Sequence, residues 1–335
     1  MGDRSAGERM KKSVFIGSVL GLSVLIAVAV HADFVAIWRT LQSGGPKLLW
    51  LIPYRASFFV LFAVGWFALV RPVDERHGAG LGYLLWAAIV RDGVDRLLPV
   101  ASVGGSVVGV RMLGWRGVAT APAAASVIVE IMLTLVVVYL FTALGLLLLS
   151  AYAGPSREFH RSLIVFLVSL PIPISMVVLL REGWALKFLH LMIRSIVGES
   201  EASRGTIALD REVRASLSRA GRLGIAGILQ WVAFVSGAFE IWFPLRLFGH
   251  PVSVGGALAL ESMTQAVRHI AFLVPAGIGV QEAGLVVFGH MLGVSADMTF
   301  ALAMVKRLRE LAWGVPALVT WQWAEARRLR RAEAS

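Results

Sequence analysis

The feature that most restricts this chain is a set of apolar runs long enough to cross a bilayer. Val127–Leu149 carries a single charged residue, Glu130, and nothing in it alternates polar with apolar. A spanning helix needs about 20 predominantly apolar residues. Inside hydrocarbon the backbone must satisfy its own hydrogen bonds, so only helices and closed barrels span. Barrel strands alternate over about ten residues, and this run does not. An all-α, polytopic integral membrane protein is the expected fold class. Composition agrees, with 57% of residues hydrophobic and 16% charged, against about a quarter charged in a soluble domain.

Spanning helices are predicted at residues 13–31, 47–70, 119–150, 160–180, 223–247 and 299–322, six in all. Residues 80–117 and 254–296 are apolar on average but interrupted by charges, proline and glycine. Each is read as a re-entrant helical hairpin, with two short spans as the alternative. Lys11 and Lys12 precede the first apolar run. That run exceeds the roughly 7–15 residues of a secretory signal core, so it is expected to be an uncleaved helix.

Charge sets the orientation. The formal net charge is +11, but the cations sit beside apolar runs, at both termini and between Arg181 and Arg222. This is the pattern of cytoplasmic loops, and it argues against nucleic acid as a partner. Both termini are placed in the cytoplasm, and the expected location is a bacterial inner membrane.

With that topology, residues 47–150 read helix, hairpin, helix beginning outside, and residues 223–322 read the same beginning inside. The hairpins echo each other. Arg91 precedes Pro99, Gly104-Gly105 and Arg111-Met112-Leu113-Gly114; Arg268 precedes Pro275, Gly277, Gly279 and His290-Met291-Leu292-Gly293. Inverted repeats with broken helices mark transporters whose site lies near the midplane between the repeats. Residues 184–197 are expected to form an interfacial helix, and Glu199–Arg222 a solvated connector, all within one membrane domain covering 1–335.

Charges at membrane depth cost about 2.5–3.5 kcal/mol each on insertion scales and are candidate functional residues. Arg91/Asp95 and Asp92/Arg96 are i,i+4 pairs able to neutralise themselves along one helix. Arg55 either snorkels to the outer interface or takes part in a site. Glu130 lies mid-helix and calls for a buried partner or a function, whereas Glu240, near a helix end, is read as interfacial. Glu261, Gln265 and Arg268 share a face leading into Pro275, Gly277, Gly279, Gln281 and Glu282. The half-helix after that bend offers free N–H groups to an anion such as a lipid phosphate, unless Glu282 caps it. Lys306, Arg307, Arg309 and Glu310 place four charges within five residues, with Lys306 and Glu310 spaced i,i+4. There is no cysteine, and the seven histidines form no metal-ligand spacing. No metal or other cofactor is expected.

Pro275–Glu282 in the pattern P-x-G-x-G-x-x-E, Arg307–Glu310, and Arg96-Leu97-Leu98-Pro99 before Gly104-Gly105 together resemble the lysylphosphatidylglycerol-synthase transmembrane family. This is the flippase-like membrane region also found in the multiple peptide resistance factor. Leu98–Gly105 and Arg309-Glu310-Leu311-Ala312-Trp313-Gly314 look most like the hopanoid-biosynthesis-associated subgroup. The resemblance covers nearly the whole chain and implies a helical membrane protein with re-entrant elements that moves or exposes membrane lipids. It does not extend to a soluble aminoacyl-transferase domain, so lysyl-lipid synthesis is not implied. Ser106 stands where relatives often carry an acid.

Three readings are therefore carried forward. The first is a non-enzymatic translocator of a hopanoid or other polar lipid. Its substrate site would be Arg55, Asp92, Asp95, Arg96, Glu130, Glu261, Arg268, Pro275, Gly277, Gly279, Gln281, Glu282, Arg307 and Glu310. No Walker A pattern is present, so movement would be passive or ion-coupled. The second is an intramembrane lipid-modifying enzyme. The third is a scaffold for lipid-biosynthesis enzymes, with its buried charges paired only to one another.

Overall fold

A computed structural model describes residues 34–98, 104–153, 157–181, 199–270 and 279–333. The expected span 13–31, the interfacial helix 184–197, and Pro99, Pro275 and Gly277 lie outside the described residues. Every regular element within them is helical, as hydrocarbon demands of backbone that cannot bond to water.

The chain enters as α1 (Phe34–Gly44) and, after a 3-10 turn at Gly45–Trp50, continues as α2 (Leu51–Val70). Then come α3 (Leu81–Leu97) and α4 (Gly104–Trp115), two short helices in mutual contact. Helix α3 stops where Pro99 dictates. A residue before proline is pushed out of the helical region, and Leu98 is extended at φ −95°, ψ 145°. Helix α5 (Thr120–Ala153) follows. Next are α6 (Arg157–Ser169) and α7 (Pro171–Arg181), separated at Leu170, which precedes a proline.

Helix α8 (Glu199–Leu217) packs on α5 and buries Val213. The solvated connector expected at Glu199–Arg222 is thus in large part a docked amphipathic helix. Val213, with the partly buried Leu209 and Leu217, turns one face to the apolar core.

The second half repeats the order of elements. Helices α9 (Ala220–Ser236) and α10 (Phe239–Leu247) are divided at Gly237. The paired short helices α11 (Val254–Ile270) and α12 (Val280–Met291) follow, then α13 (Ala296–Glu333). At 38 residues, α13 is about 57 Å long, well beyond the roughly 30 Å of a hydrocarbon core.

Four helical stretches are long and apolar enough to cross a membrane: Leu41–Val70, Thr120–Tyr152, Phe159–Met176 and Ala220–Leu247. They fall on the expected spans 47–70, 119–150, 160–180 and 223–247, while the expected span 13–31 lies outside the described residues. Residues 299–322 lie inside α13, but Lys306, Arg307, Arg309 and Glu310 make that stretch too polar to qualify on composition.

The halves meet most extensively through three helix pairs: α2 with α9, α5 with α11, and α3 with α13. Each contact has a small residue at its closest approach. A Cβ added at Gly65 would lie 3.5 Å from the Ala226 backbone. One added at Gly93 would lie 3.2 Å from Gly314 Cα, and one at Gly145 would collide with the Ser262 side chain. Lipid tails are as apolar as leucine, so membrane helices associate by close packing, which small residues permit.

The two largest apolar clusters lie on either side of the charged stretch of α13. One gathers Leu146, Leu149, Ile241, Leu245, Leu260, Met263, Leu285, Phe288 and Phe300. The other gathers Trp66, Leu84, Val90, Met112, Leu113 and Val127. Along α13, Phe300–Val305 belongs to the first and Ala317 to the second. The charged stretch Lys306–Glu310 occupies the interval.

Candidate functional site: a buried ring of charges

Six side chains form a closed ring of alternating sign. Arg55 Nη2 lies 3.7 Å from Asp92 Oδ1, and Arg96 Nε donates to the same oxygen at 2.6 Å. Arg96 Nη1 donates to Glu310 Oε1 at 2.5 Å. Arg309 Nη2 lies 3.5 Å from Glu310 Oε1, while its Nη1 donates to Glu240 Oε2. Glu240 Oε1 closes the circuit 3.6 Å from Arg55 Nη1.

The members come equally from the two halves. Arg55, Asp92 and Arg96, on α2 and α3, form a chain of plus, minus, plus. Glu240, Arg309 and Glu310, on α10 and α13, form its complement of minus, plus, minus. Two contacts clasp the chains together, Arg55 with Glu240 and Arg96 with Glu310. Burial explains why the charges alternate. A single ion in low dielectric costs several kcal/mol, and only close opposite charges with good geometry offset it. Arg55, Arg96, Glu240, Arg309 and Glu310 are buried, while the Asp92 side chain is 24% exposed. Arg55 further stacks over the Phe58 ring at 3.6 Å, which favours a desolvated cation. Arg55 Nη2 and Arg309 Nε nonetheless remain buried without a hydrogen-bond acceptor.

A branch leaves the ring at Glu310. Arg307 Nη1 donates to Glu310 Oε2 at 2.9 Å, and Arg307 Nε donates to Glu282 Oε1 at 2.9 Å. The other Glu282 oxygen accepts the Gly279 N–H at 2.8 Å. Gly279 has φ 80°, a conformation that glycine adopts without strain. The two possibilities for this helix start are thereby decided: Glu282 caps α12, and its carboxylate occupies the place where the N-terminus could have drawn an anion. Gln281, buried beside it, lies in the same first turn.

Arg268, on α11, is different. It is close enough to Arg96, Glu310, Asp92 and Arg307 to feel their charges. Among the described residues it makes no hydrogen bond or ion pair. The ring, its branch and Arg268 together hold five guanidiniums (Arg55, Arg96, Arg268, Arg307, Arg309) and four carboxylates (Asp92, Glu240, Glu282, Glu310). Arg268 is the guanidinium of this set with no carboxylate bonded to it, and Asp95, whose Oδ1 takes the Gly105 N–H, lies within reach of its charge. Arg307, with its side chain 20% exposed, and Asp92 are the accessible members beside it.

Two satellite pairs stand apart. Arg91 Nη1 donates to Glu130 Oε2 at 2.7 Å, its guanidinium 4.4 Å from the Trp66 ring centre. Asp95 Oδ1 accepts the Gly105 N–H at 2.8 Å. The i,i+4 pair expected between Arg91 and Asp95 is thus replaced by a longer-range partner and a helix cap, whereas Asp92 and Arg96 do pair. Lys306 Nζ donates to Glu261 Oε2 at 2.5 Å, and Gln265 Nε2 donates to Glu261 Oε1 at 2.7 Å. Lys306 and Glu310, though spaced i,i+4, therefore do not pair. In both cases the carboxylate that is met lies on another helix.

Sequence reasoning passed over Glu240 as interfacial and met Arg309 merely as part of a charged run. The structure buries both and joins them in the ring. Their clearest signal in the sequence was charge density at membrane depth, which Arg309 carries and Glu240, alone in α10's first turn, does not.

These features define a class: a multi-pass α-helical membrane protein whose two halves are clasped by ion pairs within the membrane-spanning bundle. The model of the family described as the lysylphosphatidylglycerol synthase TM region matches residues 14–317. The chain belongs to that family, and so to membrane proteins related to lipid handling. No curated protein and no solved structure matches it.

Proposed function

We propose that the chain moves polar lipids between leaflets of a bacterial inner membrane, with both termini cytoplasmic, and that it holds an acidic headgroup at Arg268. The observation that carries this reading is a guanidinium with no carboxylate bonded to it. Each nearby carboxylate is already engaged: by another arginine, by Lys306 at Glu261, by the cap of α12 at Glu282, or by the Gly105 N–H at Asp95. A phosphate or carboxylate ligand would neutralise Arg268 and accept paired hydrogen bonds from its planar fork. Arg307 and Asp92, partly exposed beside it, would complete the contact surface. A neutral hopanoid headgroup would leave the charge uncompensated, so the site favours an acidic lipid over a neutral one.

The reciprocal pairing of α5 with α11 and of α3 with α13 supports reading 47–150 and 223–322 as inverted repeats. Exchanging the halves exchanges these two contacts. Transporters built this way move one repeat against the other around a central site. The clasp would open at two contacts while each half kept its own three-charge chain.

The test is exchange in proteoliposomes, followed with a leaflet-specific probe on a phosphate-bearing lipid and on a neutral analogue. Wild type is expected to accelerate exchange of the acidic lipid more than that of the neutral one. Arg268→Ala should reduce the acceleration about tenfold or more, the equivalent of one lost charge-assisted contact. Arg268→Lys should keep part of it. Full activity in Arg268→Ala would defeat the reading. Product formation without exchange would favour an enzyme, and neither activity a scaffold.

A further inference from the structure

A second, separate feature lies where α3, α4 and the end of α13 converge. Tyr83, Trp86, Trp115, Arg116, Ala324 and Arg328 line a cavity of about 230 Å³ open to the surface. Its walls are aromatic: Trp86 lies 5.6 Å from Tyr83 and 6.3 Å from Trp115, centre to centre. Its polar groups are mostly committed elsewhere. The Tyr83 hydroxyl donates to Met112 O at 2.6 Å, and Trp86 Nε1 donates to Thr320 Oγ1 at 3.1 Å. The guanidiniums of Arg116 and Arg328 stand on different elements, with Arg116 also within reach of the Tyr83 hydroxyl. Arg116 lies over Tyr83 at 4.2 Å and Arg328 over Trp115 at 5.2 Å. Neither meets a carboxylate among the described residues. Nearby, Glu325 is taken by Arg111, which ties the end of α13 to α4.

A band of tryptophan and tyrosine with arginine is ordinary at a membrane interface. A concave site with two arginines converging over aromatic walls is more specific. The guanidinium N–H edges suit phosphate oxygens, and the rings suit the glycerol and first methylenes of a lipid. The arginine-rich sequence around it, with Arg327, Arg330 and Arg331 following Glu325, marks the cytoplasmic side. We infer that this cavity binds the phosphate of an anionic glycerophospholipid from the cytoplasmic leaflet, bridging the α3–α4 hairpin to the end of α13. The site is distinct from the charge ring and does not depend on Arg268 holding a headgroup.

Native mass spectrometry of the full chain, released from phosphatidylcholine nanodiscs containing graded phosphatidylglycerol, tests it. Wild type should retain phosphatidylglycerol adducts. Arg116→Ala/Arg328→Ala should retain them about tenfold less, the loss expected for one charge-assisted contact. Arg330→Ala/Arg331→Ala removes the same charge from the same end of the molecule and should behave as wild type. Arg116→Lys/Arg328→Lys, which keeps the charge but loses the planar fork, should fall between. Equal adduct loss in both alanine pairs would reduce the effect to general charge and overturn the proposal. So would competition by soluble glycerol phosphate at the concentration at which the lipid binds, which would mark a site for free phosphate compounds. Adducts that persist in Arg268→Ala separate this site from the central one, so that either can fail alone.

Discussion

At the scale of single residues, the pattern is competition between near and far partners. Arg91 and Lys306 each had an opposite charge one helical turn away, and each paired across helices instead, while Glu310 pairs both with Arg307 on its own helix and with Arg96 across helices. A pair on one helix face is worth about 0.2–0.5 kcal/mol. Removing one member of a buried pair costs about 3–5 kcal/mol, because the other is left uncompensated. Glu240→Ala and Arg309→Ala should therefore each destabilise the protein by that order. The double variant should cost less than the sum, with a coupling of about 0.5–3 kcal/mol in a double-mutant cycle followed by thermal unfolding in detergent. Strict additivity would show that the two do not act as a pair. Arg268 gives the opposite expectation. With no protein counter-ion to strand, Arg268→Leu should leave the melting temperature of the lipid-free protein unchanged or raise it, whereas Arg96→Leu should lower it. A large loss of stability in Arg268→Leu would mean that the fold, and not a ligand, needs that charge.

At the scale of elements, what the sequence announced was helix and interruption. The apolar runs of α2 and α5, the stop of α3 before Pro99, and the division of α9 from α10 at Gly237 all have local causes. The docking of α8 does not. Its polar composition suggested a solvated connector, and the contact depends on Val213 meeting a face that α5 presents. The close contacts between helices were equally silent, since nothing marks Gly145 as the residue beside Ser262 among 34 glycines in the chain. They are nonetheless demanding. Gly145→Leu places a side chain where Ser262 already sits. It should destabilise by about 1–3 kcal/mol or more, with partial recovery on adding Ser262→Gly. Thermal unfolding of the two variants decides this, and failure of the second change to help would place the strain elsewhere. At the start of α12, Glu282→Ala removes both a cap and the partner of Arg307. It should cost more than the roughly 0.5–2 kcal/mol of an ordinary cap, and Glu282→Gln, which can still accept the Gly279 N–H, should cost less than Glu282→Ala in the same measurement.

At the scale of the whole molecule, the question is whether the halves move. The chain lacks cysteine, and a Cβ added at Gly65 would lie 3.8 Å from Ala226 Cβ, within the range of about 3.5–4.5 Å that a disulfide requires. Gly65→Cys/Ala226→Cys should oxidise readily and fasten α2 to α9. If transport needs the halves to shift there, exchange should fall on oxidation and return with reductant; undiminished exchange in the oxidised protein would rule out movement at that contact. The sequence alone determined that this chain is a helical membrane protein carrying costly charges at depth. Hydrocarbon admits few backbone solutions, and each apolar run declares itself over about twenty neighbouring residues. Which charges meet was decided by tertiary structure alone. Arg55 and Glu240, or Arg96 and Glu310, are brought together by the packing of helices distant in the chain, and Coulomb attraction depends on separation in space, of which sequence spacing carries no record.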